Sequence, residues 1–508
     1  MSARRKLVKQ VGFVIVLTAL AKIAAFAKDV LLSLQFGAGQ QADAYFIANT
    51  IPGFVFGGVF ATIGMVFLPA FRRAAAESDE KAAITYRTAV TCYTGLSFAL
   101  GCLTFFGAGW IISTLAPDQP QETRDLAALM TRIMAFGFVF SGWVGLQNTV
   151  LQSHKHLIWP QFVPVLNHFF AIGGLALAAL TGGTITLLVY AAVLGWIVTA
   201  PLVALRARAY WPKARSALFD RRVAWSLLVV SFPVFLSLSL DQASVLIGTA
   251  LVSSFPEGAV SHMNYASRLT ILLSSVFSLV IAYVLFPYLA DSIVARRRSE
   301  ARKYVLQSLI AVMVLSAPLM ILGLTMGNAL IAFVFQRGAF GYEDALATGK
   351  AMAFFAPVIV LSGVREVLNR LFLAQQNTRA LLLFGALAVV VNIVASVYFS
   401  RLIGFEGIAL GNSLGALVYV AAQATMILAR QRELAHRDLP IWLALISGAM
   451  LIAALVGLWL NPQPNIAIPR LDFLVNAIIV TSVFWVLVGV PVLMSPRLRQ
   501  AFRKDDPE

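Results

Sequence analysis

Long apolar runs, bounded by charge or by clusters of proline and glycine, recur along the whole of this chain. Runs such as Leu443–Leu460 and Phe473–Leu493 approach the roughly 20 residues that a helix needs to cross about 30 Å of hydrocarbon. No segment alternates apolar and polar side chains over about ten positions, as strands of a membrane barrel do. The pattern predicts an all-α integral membrane protein with about fourteen transmembrane helices. Their spans are 11–36, 42–71, 84–113, 126–151, 160–180, 184–205, 223–253, 262–291, 302–325, 345–374, 379–400, 406–429, 440–460 and 472–493. Between 326 and 344 the pattern is ambiguous, and Asn328–Phe335 reads either as a partial helix or as part of the one before.

Charge supports this count. An even number of spans puts both termini on one side, and the loops assigned to that side hold about 28 of the 39 basic residues. They include Arg4, Arg5, Arg72, Arg73, Arg206, Arg208, Arg221, Arg222 and Arg296–Arg298, whereas the opposite loops carry only Arg124, Arg337, Arg401 and Arg470. By the positive-inside rule the rich side is cytoplasmic, so the expected setting is a bacterial inner membrane with both termini inside. Composition agrees, with 59% hydrophobic residues, 12% charged residues and a mean hydropathy of +0.83. A net charge of +16 suggests nucleic acid at first, but the basic residues are spread between apolar spans and form no single soluble face. The basic start Met1–Gln10 leads into an apolar run that outlasts a signal peptide and lacks a small-residue cleavage site, so it is expected to be the first permanent helix. Cys92 and Cys102 share one apolar span and predict packing, not a disulfide framework.

A weak internal repeat is also present. Phe67-Leu68-Pro69-Ala70-Phe71 is echoed by Leu285-Phe286-Pro287-Tyr288-Leu289, each before a basic loop. Gln152-Ser153-His154 with Asn167 is echoed by Asn377-Thr378-Arg379 with Asn392, and Leu194-Gly195 by Leu414-Gly415. These pairs set helix n against helix n+6 in the same orientation. The expected organisation is two parallel six-helix lobes, 1–222 and 223–437, followed by two C-terminal helices and a basic tail over 438–508. Such repeats place a transported substrate between the halves.

Seven basic residues interrupt the apolar spans: Lys22, Lys28, Arg132, Arg268, Lys350, Arg365 and Arg370. Arg132 and Lys350 lie close enough to helix ends to reach the interface. The others lie deeper, where each costs about 2.5–3.5 kcal/mol on insertion scales. The acids in these spans are Asp29, Asp43, Asp241 and Glu366. Glu366 and Arg370 have the favourable order for an ion pair within a helix. Lys22 and Asp29 fall on one helix stripe, while Lys28 is turned by about 100° from Asp29. Arg268 and Arg365 have no obvious acidic neighbour in sequence, and their structural alternative is pairing with Asp241 or a backbone carbonyl. The excess of cations predicts a cavity suited to an anion. Glycine pairs at Gly53/Gly57, Gly323/Gly327 and Gly411/Gly415 predict close helix packing. His154 and His156 are too few for a metal site, and His168 and His262 read as packed or interfacial. No clustered carboxylates and no phosphate-binding loop occur, so neither an enzyme nor a direct ATP drive is expected.

Several segments resemble the MurJ/MviN family. They are Ala21 to Asp29, Phe36-Gly37-Ala38-Gly39, Ala42-Asp43-Ala44-Tyr45-Phe46, Pro52 with Phe67-Leu68-Pro69, Val260 to Leu269, and Phe335 to Phe340. The resemblance runs in order over essentially the whole chain. It implies two six-helix lobes around a central cationic cavity, a final helix pair with a groove for a lipid tail, and transport of a polyprenyl-pyrophosphate-linked oligosaccharide. It also implies a substrate-binding set that includes Lys22, Lys28, Asp29, Asp43 and Arg268, to which the sequence adds Arg365. The chain departs from the family in having lysine at 22 and 28, where arginine is usual. It also reads Phe56-Gly57-Gly58 where a basic pair is usual, and Leu269-Thr270-Ile271 where an acid is usual. Lysine holds phosphate as a point charge without the fork of arginine.

The leading expectation is therefore a flippase moving lipid II from the cytoplasmic to the periplasmic leaflet by alternating access. Its partners are the lipid-linked glycan, membrane lipids, and a coupling ion or the membrane potential, with no nucleic acid, metal or cofactor. An exopolysaccharide repeat unit on the same carrier is the alternative cargo. A drug antiporter is disfavoured by the basic cavity. A non-transporting scaffold for envelope assembly is the alternative of another class, and there the buried cations would tolerate neutral replacement.

Overall fold

The computed structural model describes residues 3–214, 219–280, 297–430, 438–461 and 470–495, with 291, 292, 295 and 498. Outside the described set lie Leu285–Leu289 with Pro287, the side chain of Asp241, and many basic loop side chains, among them Arg215, Arg296, Arg432, Arg437 and the terminal clusters.

The described residues form helices and no strand. The helices are α1 (Ala3–Phe36), α2 (Gln40–Phe54), α3 (Ala61–Glu77), α4 (Asp79–Leu115), α5 (Gln121–Ser153), α6 (Ile158–Thr181), α7 (Thr186–Ala207), α8 (Arg221–Val252) and α9 (Ala259–Val280). They continue as α10 (Arg298–Thr325), α11 (Gly327–Phe335), α12 (Tyr342–Ala374), α13 (Thr378–Ile403), α14 (Glu406–Arg430), α15 (Leu439–Leu460) and α16 (Arg470–Met494). Twelve spans among the described residues are long and apolar enough to cross a membrane. The expected first and eighth helices correspond to α1 and α9. The ambiguous piece after 326 is a separate short helix, α11, set off where Met326 leaves helical geometry. Large apolar side chains such as Phe106, Leu180 and Trp459 are 82%, 85% and 77% exposed, which water would penalise and lipid would not. The chain is a multi-pass membrane protein.

Two compact units emerge from the packing, residues 1–261 and 262–508. In the first, α4 packs on α5, α5 on α7, and α6 on α7, while α8 lies against α2, α3 and α4. One of its aromatic-rich cores joins Phe67, Phe71, Tyr86 and Tyr93 to Leu146 and Leu227. In the second, α10 packs on α12, α12 on α14, and α13 on α14. There α15 and α16 add a core around Trp442, Ile446 and Phe484.

The same three pairings thus recur in each unit, and the echoed residues carry them. A Cβ on Gly195 would stand 2.8 Å from the Asn167 side chain, and one on Gly415 would stand 2.8 Å from Asn392. Each glycine lets an asparagine of the preceding helix approach the backbone. The helices before these pairs also end alike. The His156 N–H reaches the Leu151 carbonyl at 2.9 Å and the Asn377 N–H reaches that of Phe372 at 2.9 Å. In both turns a non-glycine residue, Lys155 or Gln376, takes positive φ. This match pairs Lys155 with Gln376 and so shifts the sequence alignment there by four residues, about one helical turn, which preserves the faces.

Between α2 and α3 the chain forms a π-helical turn over Val55–Phe60 without breaking the span. Pro52 lacks a donor and Gly57-Gly58 lack side chains, so the ladder loosens there. The glycines are filled from α8: a Cβ on Gly57 would be 2.6 Å from the Gln242 amide, and one on Gly58 would be 3.1 Å from Ser239 Oγ. The departure from the family's basic pair therefore coincides with α8 side chains packed over the same turn.

Candidate functional site

Of the two lysines of α1 that the sequence offers to Asp29, the structure pairs Lys28. Lys28 Nζ donates to Asp29 Oδ1 at 2.6 Å, with the two side chains only 7% and 3% exposed. Adjacent residues are turned by about 100° on a helix, and the four-carbon lysine stem reaches around to the carboxylate. Lys28 Nζ also lies 3.4 Å from the Tyr45 hydroxyl and 5.4 Å from the ring centroid. Tyr45 comes from α2, brought back onto α1 by the tight turn at Gly37, which takes φ +58. Lys22 is half-buried and stands about 9 Å further along the helix axis, six residues at 1.5 Å each.

A buried pair of this kind is not an obvious gain in stability, because desolvation offsets much of the attraction. What it provides is a lysine side chain set against a carboxylate and an aromatic ring in the interior of a long apolar helix.

Asp43 stands two residues before Tyr45 on α2 and is fully buried. Its Oδ2 accepts from the Gly258 N–H at 2.6 Å, while Oδ1 accepts from the Ser261 N–H at 2.7 Å and the Ser261 hydroxyl at 2.5 Å. The carboxylate of α2 thereby caps the start of α9, where the helix dipole favours negative charge. The reverse contact is also made, since Glu257 Oε1 accepts from the Gln40 N–H at 2.7 Å. Nearby, Gln119 Nε2 donates to the carbonyls of Ser253 at 2.7 Å and Phe255 at 3.2 Å. Ser253 Oγ donates to the Leu115 carbonyl at 3.0 Å, and Gln41 accepts from the Ile185 N–H at 3.2 Å. One end of this unit is thus laced shut by acids and amides that satisfy helix ends.

Arg268 and Arg365 belong to the second unit. Arg268 lies half-buried on α9. Arg365 is exposed on α12, its guanidinium 5.6 Å from the Tyr419 ring centroid. The Tyr419 hydroxyl donates to Asn369 Oδ1 at 3.1 Å, which also accepts from Gln423 Nε2 at 2.8 Å. This aromatic-amide support was not singled out from the sequence, although Asn369 and Gln423 are polar residues inside apolar spans. Glu366 and Arg370 form the expected pair, Nη2 to Oε1 at 2.6 Å. His262 is packed as expected, with Nδ1 2.9 Å from Thr348 Oγ1. Among the described residues no group of three or more histidine, cysteine or acidic side chains is arranged to hold a metal ion.

Comparison with known proteins follows the same lines. The family model described as Lipid II flippase MurJ matches residues 32–464. The lipid II flippase MurJ of Burkholderia cenocepacia is 24% identical over 507 residues, covering 92% of this chain and 95% of that protein. The probable lipid II flippase MurJ of Vibrio cholerae is 23% identical, covering 82% of each. A solved lipid II flippase MurJ in an inward closed conformation superimposes with a TM-score of 0.80 at 20% identity, over 96% of this chain and 99% of that one. An inward-facing multidrug resistance MATE family transporter of the MOP superfamily gives a TM-score of 0.67 at 17% identity, over 81% and 94%. Both likenesses concern the fold.

Proposed function

Because the chain belongs to the Lipid II flippase MurJ family, we propose that it transports lipid II from the cytoplasmic to the periplasmic leaflet by alternating access. It is a transporter and not an enzyme, and its role lies in peptidoglycan assembly. The observation that carries the reading is the buried Lys28–Asp29 pair beside Tyr45, a cation held ready inside a bilayer-spanning helix. The names of its relatives favour lipid II over an exopolysaccharide repeat unit.

In this mechanism the pyrophosphate takes Lys28 away from Asp29, and Lys22 adds a second positive charge along α1. Arg268 and Arg365 contribute further cationic contacts to the same substrate, each testable by its own neutral substitution. Asp29 recovers Lys28 once the lipid leaves, so the empty protein never carries an uncompensated buried charge. Asp43 acts by closing the periplasmic end of the first unit, and its hydrogen bonds must open before release. Both termini are cytoplasmic. The lobes 1–222 and 223–437 expose the substrate to one leaflet and then the other, while 438–508 accommodates the polyprenyl tail. The membrane potential or an ion gradient supplies the drive.

Expression in bacteria depleted of their own lipid II flippase tests the assignment. Rescue of growth is expected. Failure to rescue by protein shown to be folded and membrane-inserted would overturn lipid II as the cargo.

A further inference from the structure

A groove of about 630 Å³ lies between α4 and α8 in the first unit, away from Lys28 and Asp43. Its lining includes Tyr93 and Leu96 of α4 and Arg221, Trp225, Leu228 and Ser231 of α8. We propose that this groove holds an anionic phospholipid of the cytoplasmic leaflet, its phosphate on Arg221 and an acyl chain along Leu96 and Leu228.

The order of chemistry along α8 supports that occupant. Arg221, Trp225 and Leu228 stand at positions i, i+4 and i+7, one face of the helix, and so descend by about 6 Å and about 10.5 Å along its axis. Charge, amphipathic ring and aliphatic chain follow one another as headgroup, glycerol region and acyl chain do in a leaflet. Trp225 and Leu228 are 65% and 58% exposed, so the groove opens sideways to lipid. The negative charge nearest in sequence does not compete for Arg221. Asp220 is occupied by the start of α8, where it accepts from the N–H groups of Arg222 and Val223. Arg221 is exposed and makes no ion pair among the described residues.

Deeper in the groove, Tyr93 is more than nine-tenths buried and its hydroxyl has no hydrogen bond of ordinary geometry. Only a loose approach from the Ser231 hydroxyl accompanies it. A buried phenol left in this condition is costly, and a lipid ester carbonyl or phosphate oxygen reaching into the groove supplies the acceptor. Only the choice of leaflet rests on the orientation proposed above.

The test uses the full chain in nanodiscs of phosphatidylcholine with or without phosphatidylglycerol, followed by native mass spectrometry of the lipid retained on release. Wild type is expected to retain phosphatidylglycerol. Arg221→Gln should lower that retention about fivefold, the worth of one cation near an anionic surface. Arg206→Gln, a cytoplasmic arginine stacked on Trp159 outside the groove, should leave it unchanged. Leu228→Trp, which fills the groove from an exposed position, should reduce retention without touching charge. In a Cys102→Ala background, alkylation of Cys92, which also lines the groove, should slow when phosphatidylglycerol is present. Equal retention by wild type and both groove variants would overturn the proposal. So would displacement of phosphatidylglycerol by an equal concentration of undecaprenyl diphosphate, which would make the groove a substrate site.

Discussion

Lys28→Glu is expected to abolish rescue of flippase-depleted cells while the amount of membrane-inserted protein stays within about twofold of wild type, since insertion is decided mainly by the long apolar spans. The substitution sets a second carboxylate beside Asp29 where Lys28 now donates at 2.6 Å. Two like charges at that spacing cannot both remain ionised in a buried site, and neither attracts a pyrophosphate. Lys28→Ala removes the cation and breaks the buried pair with Asp29, a change that costs about 3–5 kcal/mol. Its loss of transport thus combines weaker substrate binding with lower stability. The double change Lys28→Ala with Asp29→Ala separates the two effects. Thermal stability should return toward wild type, but rescue should not. Full rescue by the double variant would mean that the pair is structural and that Lys28 does not contact the substrate.

Asp43→Ala is expected to cause a large loss of stability. Three donors, the N–H groups of Gly258 and Ser261 and the Ser261 hydroxyl, lose their acceptor where Asp43 is fully buried. Each stranded donor costs about 1–3 kcal/mol, and the lost cap falls in the same range. A total of about 3 kcal/mol or more should appear as a clear fall in the midpoint of thermal unfolding in detergent. Asp43→Asn keeps one oxygen acceptor but gives up the charge opposite the helix dipole, so its midpoint should fall between the two. An unchanged midpoint for Asp43→Ala would show that the α9 start is held by other contacts.

The helical architecture was legible in the sequence because hydrocarbon imposes a length on each apolar run and cytoplasmic loops impose a sign on charge. The repeat was legible too, through Gly195 and Gly415, since only glycine permits the asparagine contacts found in both units. Its exact register was not, because a shift of four residues leaves the same helix face in place. Side-chain partners were harder. Lys22 and Asp29 share a stripe of α1, and nothing in that spacing told that a flexible lysine stem lets Lys28 reach the Asp29 carboxylate although the two residues are turned apart. The role of Asp43 was hidden because its partners, Gly258 and Ser261, lie 215 and 218 residues away in sequence. The π-helical turn left a trace in Pro52 and Gly57-Gly58, but no sequence rule told that Gln242 would fill the glycine surface.

Translocation by the purified protein tests the central claim most directly. Full-length chain is reconstituted into liposomes containing fluorescent lipid II, and a membrane-impermeant quencher or enzyme reports how much reaches the outer leaflet over time. The account predicts that wild type moves lipid II well above the rate of protein-free liposomes and that Lys28→Glu falls to that background. Wild-type protein that is folded and inserted, yet moves lipid II no faster than empty liposomes under an imposed potential or ion gradient, would contradict it.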